Sequence, residues 1–176
     1  GGKTKLADYV KAVLRVNKLL DGTYAEPYAG GCSIALELVI QEFVRHIHIN
    51  DIDRSIWSFW HSVLNETDAL CARINDTPVN LETWTRMREI QANKQQEESL
   101  DLGFSTFFLN RTNRSGIISA GVIGGKNQNG NYKIDARYSK EELISRIKLI
   151  ADHRSRISLH QLDAKKFLSD VVATLP

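Results

Sequence analysis

Residues 24–33 read YAEPYAGGCS, and this stretch limits what the chain can become. An apolar, aromatic-bearing run with Tyr24, Ala25 and Tyr28 leads into Gly30 and Gly31, and then into SIALEL at 33–38, a good helix start. A strand, a tight glycine turn and a helix N-terminus therefore follow one another. Glycine is required where the backbone turns sharply and a ligand must approach with no Cβ in the way. The helix beyond offers unpaired N–H groups, with Ser33 as the expected N-cap. After that helix, which is expected to end near Gln41, the alternating run 44–51 (VRHIHIND) predicts a second strand closing on an acidic residue. Asp51 lies 20 residues beyond Gly31, about the separation at which a nucleotide-binding βαβ unit sets a carboxylate against a ribose hydroxyl. A nucleotide-like cofactor fits this pattern. So does an ordinary βαβ crossover in which Asp51 only caps the helix from Arg54.

Elsewhere the chain reads as helices. Leu6, Tyr9, Val10, Val13 and Leu14 recur three and four apart, as one buried helical face requires, and Asp21-Gly22 ends that unit. Residues 54–64 carry Ile56, Trp57, Trp60, Val63 and Leu64 as a second stripe, in which the two tryptophans read as core. Short helices are expected over 67–74 and 81–93, separated by Pro78 and followed by the polar stretch 94–98. Residues 99–113 (SLDLGFSTFFLNRTN) would bury a helix through Leu102, Phe104, Phe107, Phe108 and Leu109. The pattern then gives way to Asn110, Arg111, Thr112, Asn113, Arg114, Ser115 and Gly116, polar or small residues on a rigid support, which suits recognition. A capped helix end with a glycine exit would look the same. Asn129-Gly130 predicts a hairpin. A hairpin tipped by Lys126, Asn127, Gln128 and Asn129 suits a DNA groove, because Asn and Gln pair with adenine edges and Lys with guanine or phosphate; an ordinary surface loop has the same composition. An amphipathic helix over 140–153, a short strand over 157–161 and a last helix from Ala164 complete the reading.

Length and charge set the bounds. At 176 residues, 42% of them hydrophobic, the chain can form one domain or one domain with an inserted lobe. It contains no run of 18 apolar residues and no signal-peptide pattern, so a soluble, cytoplasmic protein is expected. Cys32 and Cys71 match no metal or disulfide spacing and are expected to be free thiols. The net charge is only +2, but residues 111–156 carry a surplus of six positive charges, leaving the remainder at minus four. Such a segment suggests a lobe facing a polyanion, although a solvated helix face also collects Lys and Arg.

Together, GGK at 1–3, EPYAGG at 26–31, NDID at 50–53, FFLNRTNRSGI at 107–117 and LDAKKF at 162–167 resemble the adenine-specific DNA methyltransferases of the Dam-like type, which use S-adenosylmethionine. The order of these motifs agrees over nearly the whole chain. The resemblance implies an α/β fold: a Rossmann-like methyltransferase sheet, here its first three strands, with an inserted, mainly helical DNA-recognition lobe. Residues 1–65 would form the cofactor-binding α/β portion, 66–156 the lobe, and 157–176 the return to the sheet. The resemblance assigns Glu26, Pro27, Tyr28, Ala29, Gly30 and Gly31 to the loop under the methionine part of S-adenosylmethionine, where the family often has a further glycine in place of Cys32. It puts Lys3 near the cofactor's carboxylate, Asp51 on the ribose hydroxyls, Ile52 against the adenine ring and Asp163 on the adenine amino group. Asn110, Arg111, Asn113, Arg114 and Ser115 become the members facing double-stranded DNA, with Lys126, Asn127, Gln128 and Asn129 at the loop tip. No metal is implied.

The family's reaction needs one more motif, an acidic residue or Asn followed by Pro-Pro-Tyr or a close variant. It holds the flipped adenine on an aromatic ring and accepts its amino hydrogens, so that the nitrogen can attack the sulfonium methyl. This sequence has only Pro27, Pro78 and Pro176, none adjacent. The chain is therefore expected to stop short of the catalytic strand, to be inactive alone, and to leave its first strand an open edge that a second chain or a continuation completes.

Overall fold

The computed structural model describes residues 4–175; Lys3, with Gly1 and Gly2, lies outside the described residues. Three strands, β1 (Thr23–Glu26), β2 (His46–Asn50) and β3 (Ile157–His160), form a parallel sheet in the order β1-β2-β3. Thr23 pairs with His46 and Ile47 with Ile157. The class is α/β, and among the described residues β1 is an edge strand. Parallel neighbours need a crossover, which α2 (Ser33–Ile40) supplies between β1 and β2. This helix is apolar nearly all round and buries Ile34, Ala35, Leu36, Leu38 and Val39, as a helix without a polar face must. On β2, Ile47 and Ile49 are wholly buried, while His46 and His48 point to the opposite face, following the two-residue period of a strand.

Helix α1 (Thr4–Val16) packs on α2, but not through the stripe expected of it. Ala7 and Lys11 are the buried positions, whereas Leu6, Tyr9 and Val13 are exposed, Tyr9 by 65%, and Val10 and Leu14 are half-buried. The reason is electrostatic. Lys11 Nζ bonds the Glu37 carboxylate on α2 and lies over the Phe43 ring, so the contact face turns toward the lysine. A buried ammonium is held only if paired, and Glu37 supplies the partner.

The histidine face of the sheet predicts a pH response. His46 Nε2 and Ser158 Oγ are 2.9 Å apart, and His48 Nδ1 and His160 Nε2 are 3.1 Å apart with the two rings stacked. Burial lowers all three imidazole pKa values from 6.5; Arg156 lowers that of His46 further, and His46 and His160 lower that of His48. The unfolded chain then binds more protons than the folded one below pH 6.5, so stability present above that value is lost as pH falls. The melting temperature is expected to drop between about pH 7.5 and pH 5, less steeply in His48→Leu. A flat or rising profile in the native chain would contradict this arrangement.

The chain divides into two compact units, one of residues 58–149 and one made of the sequence before and after them. The boundaries between these units lie inside α3 (Arg54–Asn65) and α7 (Lys140–Asp152). A helix keeps its periodicity where its packing partner changes, so the pattern carries no mark of the change. The unit of residues 58–149 is mainly helical and includes α4 (Thr67–Asp76), α5 (Leu81–Ala92) and α6 (Ser99–Thr112). Helix α6 is buried continuously from Leu102 to Leu109. Its Phe107 and Phe108 rings meet Tyr138 at 5.6 and 5.4 Å. On α5, Gln91 donates to the hydroxyls of Ser105 and Thr106.

The hairpin expected at Asn129-Gly130 does not form. Residues 121–138 run through successive turns, and the one bridge in this stretch joins Asn113 to Val122. The Gln128 side chain decides the outcome: Nε2 donates to the carbonyls of Ile123 and Gly125, and Oε1 accepts from Ile134 N–H. One amide thus satisfies three backbone groups that a hairpin ladder would otherwise pair.

Candidate functional site

Parallel α/β sheets bind ligands beyond the C-terminal ends of their strands, and there the chain gathers most of the residues singled out by sequence. A residue not singled out holds them. Asn50, the last of β2 and 1% exposed, donates from Nδ2 to Pro27 O and Leu162 O and accepts at Oδ1 from Leu162 N–H. The segments leaving all three strands are tied by this amide. Its position in HIHIN shares the phase of His46 and His48, so strand alternation classes it with the polar face and gives no sign of its burial.

The glycine loop is then fixed to the end of β2. Ala29 N–H donates to Asn50 O at 2.8 Å, and Gly30 N–H donates to Asp51 Oδ2 at 3.0 Å. Gly30 has φ +47°, the left-handed region that glycine enters without cost. Gly31 is different: its φ is not positive, and an added Cβ would meet nothing within 4 Å. The fold itself does not need a glycine there. Asp51 Oδ1 accepts from Asp53 N–H, while Asp53 Oδ1 accepts from Ser55 N–H in the first turn of α3. Capping therefore falls to Asp53, and Asp51 is turned to the glycine loop.

Ser33 is not the N-cap of α2. That place belongs to Cys32, at φ +51° and without a side-chain cap bond. Glu26 replaces it, its Oε2 accepting from Ala35 N–H at 3.4 Å, so that an acidic group faces the positive end of the helix. Burial, then Glu26, pushes the Cys32 thiol well above its ordinary pKa, and Tyr24 is pushed up to about 12 by burial, then Glu26 and Cys32. Both shifts favour the neutral thiol and phenol. Two large apolar side chains stay in solvent beside the loop and beyond β2, Tyr28 at 73% and Ile52 at 62% exposure. Asp163 caps α8 (Ala164–Asp170), its Oδ1 accepting from Lys165 and Lys166 N–H.

The second group of residues lies where α6 ends. Asn110, Arg114 and Ser115 are exposed, with Asn110 Nδ2 donating to Gly116 O and Ser115 at φ +55°. Arg111 is half-buried, its Nε donating to Arg137 O. Asn113 corrects the expectation: it is 0% exposed, accepts from Trp84 Nε1, and donates from Nδ2 to the carbonyls of Ile117 and Ile118. It shapes the exit from α6 and does not face outward. Gln128 is likewise spent inside its own turn, whereas Lys126, Asn127 and Asn129 are exposed. Arg88 supports the same exit, stacking on Trp84 and donating to Ile118 O and Ala120 O. Trp84 and Arg88 lie about 30 positions before their partners, with no local signal to join them.

Among the described residues no group of three or more His, Cys, Asp or Glu side chains could hold a metal ion, and no helix is long and apolar enough to cross a membrane. A comparison with curated proteins gives no significant match. The profile of one family, described as D12 class N6 adenine-specific DNA methyltransferase, matches residues 1–170. With almost the whole chain matched, and a three-stranded parallel sheet carrying a glycine loop and a terminal carboxylate, this protein belongs to the D12 class of N6 adenine-specific DNA methyltransferases.

Proposed function

We propose that these residues hold S-adenosylmethionine at the glycine loop and duplex DNA at the end of α6, serving methylation of adenine at N6. Membership of the family implies this cofactor and DNA as substrate in general terms. Gly31 carries the local reading. A glycine that neither backbone conformation nor packing requires is explained by a ligand that approaches its backbone closely. The other groups fit the same cofactor. Each Asp51 oxygen accepts one backbone N–H, and since a carboxylate oxygen can accept twice, both retain capacity for ribose hydroxyls. Ile52 and Tyr28 offer exposed apolar surface for an adenine ring and a methionine chain, and Asp163 offers an acceptor for the adenine amino group. When bound, S-adenosylmethionine supplies an electrophilic methyl group on its sulfonium.

The acidic or Asn residue with Pro-Pro-Tyr that accepts the adenine amino hydrogens is not among the 176 residues. The reading therefore assigns them binding rather than transfer. A non-catalytic binding module of the same ancestry is the second reading, favoured by that same sequence fact.

Equilibrium dialysis with S-adenosylmethionine and a nicotinamide dinucleotide, alongside a radiolabelled methyl-transfer assay on adenine-containing duplex DNA, tests these assignments. Preference for S-adenosylmethionine without incorporation into DNA is the expected result. Preference for the dinucleotide would overturn the cofactor assignment, and incorporation would overturn the division between binding and transfer.

A further inference from the structure

We propose that the outward face of α1 pairs two copies of this chain, helix against helix about a two-fold axis, an inference independent of the cofactor and DNA assignments. Ala7 and Lys11 turn toward the body of their unit, with Lys11 bonded to Glu37 on α2. Another side of α1 is thereby left to Leu6, Tyr9, Val13 and Val16, all exposed, Val16 by 82%. These four are spaced by three, four and three residues, the repeat with which one helix seats along another. The helix end is fixed as well. Lys18 stands in the left-handed region at φ +56°, its N–H donates to Arg15 O, and Leu19 N–H donates to Leu14 O, the paired bonds of a Schellman stop. Leu19 and Leu20 beyond it are exposed too, so that six of the twelve large apolar side chains in solvent among the described residues fall within residues 6–20. Scattered apolar side chains need no explanation, but a patch of this kind marks an interaction surface.

The seam itself selects a second copy as its occupant. Its spacing reads the same in both directions, so two copies of α1 laid antiparallel meet as one isologous surface. Leu6 then faces Val16 of the other copy and Tyr9 faces Val13, a large side chain against a small one each time. Between Leu6 and Val16 the flanking positions are Val10 and Ala12. Neither is charged, so identical copies do not repel one another across the seam. Asp8 and Arg15 hold equivalent places in the repeat, and the reversal sets the carboxylate of each copy on the flank that carries the guanidinium of the other, a complementary arrangement. The exposed side chains of residues 6–20 offer roughly 600 Å² per copy and about 1,200 Å² over two, the lower end of what a specific interface buries. An area of that size makes the pairing reversible rather than obligate.

Analytical ultracentrifugation of the full 176-residue chain from about 1 to about 200 µM provides the test. The mass is expected to rise from 19.9 kDa to twice that value and to stop there. A two-fold axis uses each position twice, so Tyr9→Glu and Val13→Lys are each expected to weaken the pairing at least about tenfold. An equimolar mixture of the two variants should recover part of it, because the antiparallel register sets position 9 of one copy against position 13 of the other and joins opposite charges. All these positions are exposed, and Val16→Lys supplies a further variant if either of the others does not fold. A native chain that stays monomeric throughout, or folded variants that pair as well as the native chain, would overturn the proposal. No recovery in the mixture would overturn the two-fold register. Growth beyond a dimer that the substitutions leave untouched would assign association to another surface, such as the β1 edge, and a monomer that co-sediments with phosphatidylcholine and phosphatidylglycerol vesicles would assign the face to a membrane; either result makes the pairing wrong.

Discussion

Asn50→Leu is expected to destabilise the sheet-bearing unit by about 3–5 kcal/mol, a large effect for one side chain. The residue is buried, and its amide makes three hydrogen bonds to Pro27 O, Leu162 O and Leu162 N–H. Leucine has nearly the same volume, so cavity formation contributes little. The cost arises because three backbone groups are left in an interior without partners, each at about 1–3 kcal/mol. Asn50→Asp separates the roles: it keeps acceptors for Leu162 N–H but loses both donated bonds, and it should fall between the native chain and Asn50→Leu at neutral pH or below the latter if its charge stays unpaired. Urea denaturation followed by far-ultraviolet circular dichroism measures both. A loss under about 1 kcal/mol in Asn50→Leu would mean that the strand ends are held by something else. Because Ala29 N–H also bonds Asn50 O, the glycine loop should loosen with the strand ends, and cofactor binding should weaken before the unit unfolds.

Gly103→Ala should destabilise the helical unit by about 2–4 kcal/mol. Within an exposed helix the same change would stabilise by about 1 kcal/mol, since alanine has the better propensity. The sign is reversed by packing. A Cβ at Gly103 would lie 2.6 Å from Ser58 O and 2.6 Å from Ser62 Oγ on α3. The hydroxyl can rotate away, but the Ser58 carbonyl belongs to the helix backbone and cannot yield without moving α3. Ser62→Ala added to Gly103→Ala should therefore recover only a minor part of the loss. Thermal unfolding of the single and double variants provides the test, and a native-like midpoint in Gly103→Ala would show that α3 and α6 approach less closely than described. The serines at 58 and 62 and the glycine at 103 together make a tight helix contact that hydropathy does not reveal, because none of them is apolar.

Features that depend on neighbours in sequence were legible. The strand, glycine turn and helix at 23–40 follow from local chemistry, as do the extents of α3, α5 and α6 within a residue or two. The alternation of residues 44–51 identified β2 but ran past its ends, because Val44 and Arg45 give their carbonyls to Arg156 rather than to the ladder. Features that depend on distant partners were not legible. Asn113 looked like a recognition residue because it follows a buried helix, and only Trp84, 29 positions away, shows that its amide is consumed inside. Asn129-Gly130 carried a strong turn signal, yet the Gln128 amide offered the backbone a better set of partners. The apolar stripe of α1 predicts a buried face that does not form, because a single lysine with a carboxylate on α2 turns another face inward. In each case a polar side chain decided against a local propensity.

A calorimetric titration of S-adenosylmethionine into the native chain and into Gly31→Val tests directly whether the glycine loop holds the cofactor. Valine at this position meets no neighbour within reach of its Cβ, and its backbone is not held in a left-handed conformation. The variant should therefore fold with a melting temperature close to native. Its side chain occupies the space that the proposed ligand needs, so measurable binding is expected to the native chain and at least about tenfold weaker binding to the variant, a difference of about 1.4 kcal/mol. Equal affinity in native and folded Gly31→Val would contradict the assignment of the glycine loop, and no binding to a folded native chain would contradict the cofactor site itself.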